Sequence, residues 1–312
     1  MIHETIAHTS QMPRKEGPMN LVVGATGILG TEICRLLAER DGEVRALVRE
    51  TSSPDKIARL RSFDAELVRG DLKDASSLKA ACRGVTAVIT TASSTLSRQE
   101  GDSIESVDRD GQLALIDAAA AASVERFILI SVAELAVDSP LQAAKRSVED
   151  RLRRSGMTFT ILQPTCFAEV WLSPALGFDL AQARARIYGD GINKTSWVSF
   201  RDVAQIAVAS LDNSEATNAT FELGGPEALS PLEVVRLAER MTGTTFEVEH
   251  VPEETLRAQY AAATNSLERS FAGLLLSVAA GDVIDMHKTL AKFPVQRLRS
   301  VHEYFEGLGI RI

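Results

Sequence analysis

The segment that most constrains this chain is residues 20–30, NLVVGATGILG, which continues directly into TEICRLLAER. Residues 21–23 form a short apolar run bounded by a glycine, a pattern typical of a buried strand in a parallel sheet. Ile33, Leu36 and Leu37 then recur at helical spacing. The chain is therefore predicted to turn from strand to helix within the intervening glycines.

Those glycines, Gly24, Gly27 and Gly30, have the spacing G-x-x-G-x-x-G. The first permits a tight turn, the second lets the backbone approach a pyrophosphate, and the third lets helix and strand pack closely. N–H groups at the start of the helix would then point at the phosphates. An ordinary strand-to-helix turn has the same outline, but the helix and second strand that follow favour a dinucleotide site. The residues predicted to line it are Gly24, Thr26, Gly27, Ile28, Leu29 and Gly30.

Composition and charge argue against several classes of partner. The net charge of −8 disfavours non-specific binding to nucleic acid or to an anionic membrane. The three cysteines, Cys34, Cys82 and Cys166, are widely separated, which suits neither a disulfide framework nor a zinc site and is typical of reduced thiols. The five histidines form no metal-binding motif, so no metal is predicted.

One polar and one apolar segment bear on targeting and membrane insertion. Residues 1–18 are polar and lack the apolar segment of a secretory signal, so we expect a loosely ordered extension. The longest apolar stretch, residues 271–280, is far shorter than the roughly 20 residues of a membrane-spanning helix. It suits a roof over an apolar pocket, a helix buried against the sheet, or a surface for a protein partner. No membrane segment is predicted, and a cytoplasmic location is expected.

Strand and helix patterns alternate along residues 19–165 with short connections, which is typical of a doubly wound parallel sheet. This predicts an α/β, Rossmann-type NAD(P)-binding domain over residues 19–165, with its ligand along the carboxyl ends of the strands. The pattern changes in residues 166–312. These are predicted to form a smaller, mostly helical C-terminal region that packs on the first domain and binds a substrate or partner.

Four local patterns add detail to this outline. Residues 104–122 are predicted to form one long helix, and residues 167–185 to be mostly helical with a break near Pro174. A short strand is predicted over residues 197–200. Ser230 precedes an apolar helical pattern and Glu233 follows three residues later, which is typical of a capping box.

The residues after the predicted strands indicate which dinucleotide binds. An NAD site usually has a carboxylate after the second strand, whereas this chain has Arg49, whose guanidinium can bind a 2′-phosphate bidentately. Glu50 would serve as that acid if the strand ran longer, but we predict that NADP(H) is preferred over NAD(H). Asp71 suits either a contact with the adenine amino group or a helix N-cap. The other cofactor contacts predicted at strand ends are Leu72, Thr91 and Ala92.

Further motifs extend over most of residues 19–243. They are GATGILG, LVR ending in Arg49, Gly70-Asp71, LIDAAAAASVERFILIS, KRSVEDRLRRSGMTFTILQPTCFAE, YGDGINKTSWVSFRDVA and FELGGPEALSPLEVVRLAERMTG. In these segments the chain resembles the atypical short-chain dehydrogenase/reductase group, specifically the NmrA-like and isoflavone-reductase-like NAD(P)-binding proteins. The resemblance implies a Rossmann-type domain with a variable C-terminal part over the substrate cleft. It also implies NADP(H), because Arg49 matches the family's phosphate-binding arginine, and it places the backbone of Pro164 and Thr165 beside the nicotinamide.

The resemblance also identifies the candidate catalytic residues. Short-chain dehydrogenases usually pair a tyrosine with a lysine four residues later, and the lysine lowers the pKa of the tyrosine. Lys145 matches the lysine, but Leu141 stands at the tyrosine position and cannot transfer a proton. The usual serine position falls near Ala133, and Ser131 is the nearest hydroxyl. Lys145 and, on weaker grounds, Ser131 are therefore the catalytic candidates, with a surface lysine as the alternative for Lys145.

The resemblance implies two functions that are compatible with this incomplete catalytic set. The first is a reductase that transfers hydride from NADPH to a small quinone-like or conjugated carbonyl acceptor, with Lys145 orienting the ribose. The second is a protein that binds NAD(P)H without turnover and reports its redox state to a protein partner. A sugar-nucleotide epimerase is disfavoured because it needs the missing tyrosine. Three aromatic residues that could stack on a planar acceptor, although such residues are often core, are Phe167, Trp171 and Tyr188.

Overall fold

A computed structural model describes residues 17–40, 42–96, 99–293 and 297–309 of this chain. The predicted N-terminal extension lies outside the described residues except for its last two. The strands are β1 Met19–Val23, β2 Glu43–Val48, β3 Glu66–Arg69, β4 Ala87–Thr90, β5 Arg126–Ile130, β6 Thr158–Pro164, β7 Phe178–Asp179, β8 Arg184–Tyr188, β9 Ala219–Leu223 and β10 Glu247–Val251. The helices are α1 Ile28–Glu39, α2 Pro54–Arg61, α3 Ala75–Ala81, α4 Gln112–Ala121, α5 Pro140–Arg153, α6 Ala168–Trp171, α7 Phe200–Ala209, α8 Pro231–Thr242, α9 Glu253–Ala262, α10 Ser266–Ala280, α11 His287–Leu290 and α12 Val301–Gly307.

The main sheet has seven parallel strands in the order β3-β2-β1-β4-β5-β6-β9. Both of its faces are covered. In β1, Val22 packs into a cluster with residues of α1 and α7, while Leu21 and Val23 pack on the opposite side with residues of α3, α4 and α5. A parallel strand buried on both faces needs a continuous apolar run, and this is why the first strand can be predicted from the sequence. The predicted Rossmann-type α/β fold is confirmed.

The C-terminal part contributes to two sheets. Strand β9 and helix α7 return to the main sheet, where α7 packs beside α1. The predicted boundary after residue 165 stays a prediction, but the sheet takes its seventh strand from beyond it. The rest of this part builds a three-stranded sheet, β10-β8-β7, around a core that includes Phe178, Phe246 and Phe305.

The predicted helix over residues 167–185 is wrong. The structure has only the short α6, a 3-10 turn and strands β7 and β8 in this segment. Gly177 has a φ of +89°, a left-handed conformation that ends the turn and reverses the chain. Residues 184–187 then alternate between exposed and buried, which is the period of a strand.

Two other local predictions need correction. Residues 104–122 are helical, but the first turns, Ile104–Gly111, form a π-helix and only Gln112–Ala121 is α-helical. The predicted strand over residues 197–200 is reduced to an isolated pairing of Val198 with Phe167, and α7 begins at Phe200. The predicted capping box at the start of α8 is confirmed, because Ser230 and Glu233 make both reciprocal hydrogen bonds.

Within the described residues, the cysteines are free and no cluster of His, Cys, Asp and Glu side chains has the arrangement of a metal site. Burial raises the pKa of the Cys34 thiol to about 12 and that of Cys82 to about 11, so both are protonated at neutral pH. No helix in these ranges is both long enough and apolar enough to cross a membrane.

Candidate functional site

The turn between β1 and α1 has the geometry of a phosphate-binding loop. Gly24 has a φ of +83°, and a Cβ there would lie 2.6 Å from Thr91 Oγ1. The Gly27 N–H donates to the Gly24 carbonyl over 3.0 Å and closes the turn. Gly27 is the N-cap of α1, and among the described residues no side chain caps this helix. Its first N–H groups and its positive dipole end therefore face the carboxyl edge of the sheet, which suits an anion.

The other loop residues differ in what they can offer a ligand. Gly27 is exposed and Ile28 is 52% exposed, while Thr26 is half-buried. The Leu29 side chain is buried in the core, so this residue can present only its backbone N–H. A Cβ at Gly30 would lie 2.2 Å from the Gly24 carbonyl oxygen, so α1 packs against the turn at a distance only glycine allows.

Arg49 lies at the end of β2, next to β1 in the sheet and on the same edge as the loop. Its Nη1 is 2.7 Å from Asp102 Oδ2, and Lys73 Nζ is 2.6 Å from Asp102 Oδ1. Glu50, the alternative ribose ligand, instead forms an exposed ion pair with Arg69. Two cations, Arg49 and Lys73, thus stand beyond the ends of β2 and β3, where they can bind an anionic group.

Asp71 and Leu72 follow β3 at the same edge. Asp71 Oδ1 accepts a hydrogen bond from the Lys73 N–H over 2.8 Å, and the N-cap of α3 is Asp74. Of the two roles considered for Asp71, the helix cap is therefore filled by another residue. The Leu72 side chain is buried, and a Cβ at Gly111 would lie 2.7 Å from its Cβ, so Leu72 packs against the π-helix.

Thr91 and Ala92 extend the edge beyond β4. The Thr91 N–H donates to the Val23 carbonyl over 2.9 Å, which holds this segment against the glycine turn. The Ala92 carbonyl accepts from the buried side chain of Gln112 over 3.0 Å. Hydrogen bonds thus hold the backbone of Thr91 and Ala92 beside the glycine turn. Their small side chains leave room for a cofactor.

Lys145 lies in a buried ion pair rather than on the surface of α5. Its side chain is 5% exposed, and its Nζ is 3.3 Å from Oδ1 of Asp108, whose side chain is fully buried. Asp108 Oδ2 accepts from both the N–H and the hydroxyl of Ser94, over 3.0 and 2.6 Å, whereas its Oδ1 has no hydrogen-bond partner among the described residues. Lys145 Nζ makes no hydrogen bond to any other group within the same residues, so the donors that do not face Asp108 remain available.

Ser131, the weaker catalytic candidate, faces a different carboxylate. Its hydroxyl donates to Glu149 Oε1 over 2.5 Å, and the same carboxylate accepts from Gln163 and Arg146. Glu149 is 1% exposed. This network joins the end of β5 to β6 and α5, and it uses the Ser131 hydroxyl as a donor to Glu149.

Leu141, at the position of the usual tyrosine, packs under the apolar helix α10. It belongs to a cluster with Ile104 and Ala144, against which Leu267 and Leu274 are packed. Polar contacts hold α10 there as well, because Ser270 Oγ accepts from the Leu141 N–H and Ser277 Oγ from the Ala136 N–H, each over 3.0 Å. The apolar stretch 271–280 therefore covers the loop after β5 and the start of α5.

The residues predicted to lie beside the nicotinamide have defined partners. The Pro164 carbonyl accepts from the Ala133 N–H over 3.0 Å, and the Thr165 hydroxyl donates to the Ser196 carbonyl over 2.5 Å. Their position at the end of β6 places them on the same sheet edge as the glycine turn.

The three candidate pocket aromatics do not form one group. Trp171 and Tyr188 line a cavity of about 20 Å³, room for little more than a water molecule, whereas Phe167 packs with the main core. The Tyr188 hydroxyl donates to the Leu176 carbonyl over 3.1 Å, and burial raises the pKa of Tyr188. Trp171 and Tyr188 also pack against the α10 cluster, so they support the helix that covers the cleft.

Asp102, Lys73 and Asp108 were not singled out from the sequence. For Asp108 a signal existed, because it lies at helical spacing among Ile104, Val107 and Gly111, where a carboxylate is costly unless it is paired. Asp102 stands in a polar loop without periodicity, so nothing in the sequence distinguishes it.

The described geometry can be compared with known proteins. The model of the NmrA-like family matches residues 19–302 of this chain. The chain belongs to the NmrA-like family. Its relatives include the NAD(P)H azoreductase of Xenophilus azovorans, 33% identical over 69% of this chain and 71% of the relative. They also include the photosystem II assembly factor Ycf39 of Cyanophora paradoxa, 32% identical over 74% and 71%.

Solved structures share the fold. An NADPH-dependent quinone oxidoreductase from Escherichia coli, crystallised with NADPH, superposes with a TM-score of 0.73 at 21% identity. The superposition covers 93% of this chain and all of the other. This member of the NmrA-like family thus shares the fold of that quinone oxidoreductase, and one of its relatives is named as an NAD(P)H azoreductase.

Proposed function

We propose that this protein binds NADP(H) in preference to NAD(H) and reduces a small quinone-like or conjugated carbonyl acceptor. The observation that supports this best is the presence of three features at one sheet edge. A glycine turn with an uncapped helix stands beside the cations Arg49 and Lys73, and a buried lysine stands farther along the same edge. The named reductases among the relatives support the same activity.

The residues present fit a dinucleotide. A Cβ at Gly24 would lie 2.6 Å from Thr91 Oγ1, so a side chain there would occupy space that the turn keeps free. The free N–H groups at the start of α1 suit the pyrophosphate. When bound, NADPH supplies a hydride. Asp71, Leu72, Thr91 and Ala92 would line the adenosine half, and Pro164 and Thr165 the nicotinamide.

Lys145 is the residue we assign to the reacting end. Asp108 holds its ammonium group in place from one side, and the unused N–H donors can bind the ribose hydroxyls. A reduced carbonyl or quinone gains negative charge on oxygen, and a fixed ammonium in a water-poor site stabilises such charge. Because Leu141 cannot donate a proton, the proton comes from solvent or from another residue.

The test is a titration of the purified protein with NADPH and NADH, followed on the same sample by oxidation assays with a panel of quinones and conjugated ketones. We expect NADPH to bind more tightly and to be oxidised by at least one acceptor. Arg49→Ala should weaken NADPH by about tenfold or more and NADH far less, since one charge-assisted phosphate contact is lost.

Arg69→Ala is the matched control, because Arg69 also stands at a strand end but pairs with Glu50 on the surface. It should change neither affinity by more than about twofold. Equal losses for both cofactors in Arg49→Ala would contradict the assignment of Arg49 to the 2′-phosphate.

A second function is a non-catalytic NAD(P)H-binding regulator or assembly factor. It is favoured by the apolar packing of Leu141 at the tyrosine position and by the relatives named as assembly factors. NADPH binding without turnover across the whole panel would support it. Release or capture of a protein partner on addition of NADPH would then identify the regulator.

A further inference from the structure

One acidic side chain occupies the cation pair at the end of β2. Asp102 is 1% exposed in its side chain, whereas Arg49 and Lys73 are 27% and 30% exposed. Each carboxylate oxygen binds one cation, and Oδ2 also accepts from the Gln99 N–H over 2.9 Å. Both oxygens of this carboxylate thus accept hydrogen bonds from groups that also bind phosphate well.

The carboxylate has the chemistry of a phosphate substitute. It is a planar anion that bridges a guanidinium and an ammonium, as a 2′-phosphate would. Burial of the Asp102 carboxylate opposes its ionisation, but the hydrogen bonds from Lys73 and Arg49 outweigh burial, so its pKa lies below the usual value. Asp102 is therefore a full negative charge at neutral pH.

Resting on the proposed NADP(H) function, we infer that Asp102 competes with the 2′-phosphate for Arg49 and Lys73 and so sets the preference between NADP(H) and NAD(H). A phosphate that arrives must displace the carboxylate or sit beside it, and both lower affinity, the second by repulsion between like charges. Lys73 becomes a second phosphate ligand once Asp102 has moved. NAD(H), which lacks the phosphate, leaves the bridge intact.

The loop around Asp102 determines what this displacement involves. Gln99 donates through its side chain to Thr51 Oγ1, in the turn that follows Arg49. The Ser106 hydroxyl donates to the Gly101 carbonyl over 3.0 Å, which ties the loop to the start of the π-helix that contains Asp108. Displacement of Asp102 therefore loosens a short segment. One end of this segment is attached to the turn after Arg49, and the other to the π-helix that carries Asp108, the partner of Lys145.

The experiment compares adenosine 2′,5′-bisphosphate with adenosine 5′-monophosphate, which differ only in the 2′-phosphate, by calorimetry on the full chain. Asp102→Asn keeps the shape and an acceptor for Gln99 but removes the charge. We expect the affinity for the bisphosphate to rise about tenfold more than that for the monophosphate. Lys73→Met should instead lower the affinity for the bisphosphate about tenfold, again relative to the monophosphate.

Asp117→Asn is the matched control, since Asp117 also pairs with an arginine, Arg151, but on the surface of α4. It reports the effect of one lost negative charge without the competition. Thermal unfolding of each variant confirms that the fold is kept.

Three results would overturn the inference. A weaker affinity for the bisphosphate in Asp102→Asn would show that Asp102 positions Arg49 for the phosphate. A selective loss of affinity for the monophosphate would show that Asp102 binds the ribose hydroxyl. A gain equal to that of Asp117→Asn would reduce the effect to general charge. If wild-type protein binds neither nucleotide nor NADPH, the proposed function itself fails.

Discussion

The two ends of the candidate dinucleotide site are built in opposite ways. The phosphate end consists of the backbone of the glycine turn and of partly exposed cations such as Arg49, whose side chain is 27% exposed. The end near Lys145 is buried and takes Asp108 from the π-helix, Leu141 from α5 and its cover from α10. Phosphate is a strongly hydrated ligand that an open loop can bind, whereas hydride transfer gains from exclusion of water. The difference predicts that mutations at the Lys145 end mainly change stability, and those at the phosphate end mainly change affinity.

The largest effect is expected from the buried ion pair. Lys145→Met leaves the fully buried Asp108 charge without its cation, which should lower the free energy of unfolding by about 3–5 kcal/mol. Asp108→Asn in the same chain should restore a large part of that loss. Denaturant unfolding of the two single variants and the double variant measures the coupling. Lys56→Met, at an exposed lysine, serves as the control. A Lys145→Met protein as stable as wild type would contradict the proposed contrast between the two ends of the site.

The phosphate end is tested by its most tightly packed glycine. Gly30→Ala places a Cβ 2.2 Å from the Gly24 carbonyl oxygen, which the backbone must relieve by moving the turn. We expect a loss of about 3 kcal/mol or more in NADPH binding, or about 100-fold in affinity, measured by titration. Gly307→Ala, on an exposed part of α12 with no atom near its Cβ, should keep full affinity. Unchanged binding in Gly30→Ala would refute the role of this turn.

Another buried carboxylate, that of Asp202, shows the effect of burial without an ion pair. Asp202 is fully buried and accepts from the Arg299 N–H over 2.7 Å, but its Oδ1 has no partner among the described residues. Burial raises the pKa of Asp202 to about 6, above the unfolded value. The folded protein then binds more protons between pH about 4 and 6, so stability should fall as pH rises through that window and level off above it. The fall is about 3 kcal/mol at most.

Asp202→Asn should remove this dependence, which unfolding measured at intervals from pH 4 to 7 would detect. Asp55→Asn, on the exposed face of α2, should leave the slope in place. A slope unchanged in Asp202→Asn would assign the pH dependence to other groups.

The smallest effect is expected at a surface pair remote from both ends of the site. Arg184 and Glu247 lie opposite each other on β8 and β10, with side chains 62% and 74% exposed. Arg184→Ala should change the free energy of unfolding by less than about 0.5 kcal/mol, because water already solvates both charges. A larger change in denaturant unfolding would show that exposure alone does not explain the contrast between the two ends.

The glycine turn and Arg49 at the phosphate end were predictable because each is a local pattern, whereas Lys73 and Asp102 were not singled out. The glycine spacing, the apolar run of β1 and Arg49 after β2 all follow from short stretches of sequence. The α/β fold was predictable for the same reason, since alternating strands and helices leave few other topologies, and the match of the family model confirms the predicted family. Arg49 as a ligand of the 2′-phosphate remains a prediction.

The Lys145 end was decided by tertiary structure. The sequence marks Lys145 through its place in a family pattern, but only the packing of the π-helix against α5 shows that Asp108 is its partner. Segments 167–185 and 271–280 likewise took their structure from long-range contacts, as a strand paired with β10 and as a cover over the start of α5. Local periodicity reports which face of an element is apolar, but the element that buries that face is chosen by the whole fold.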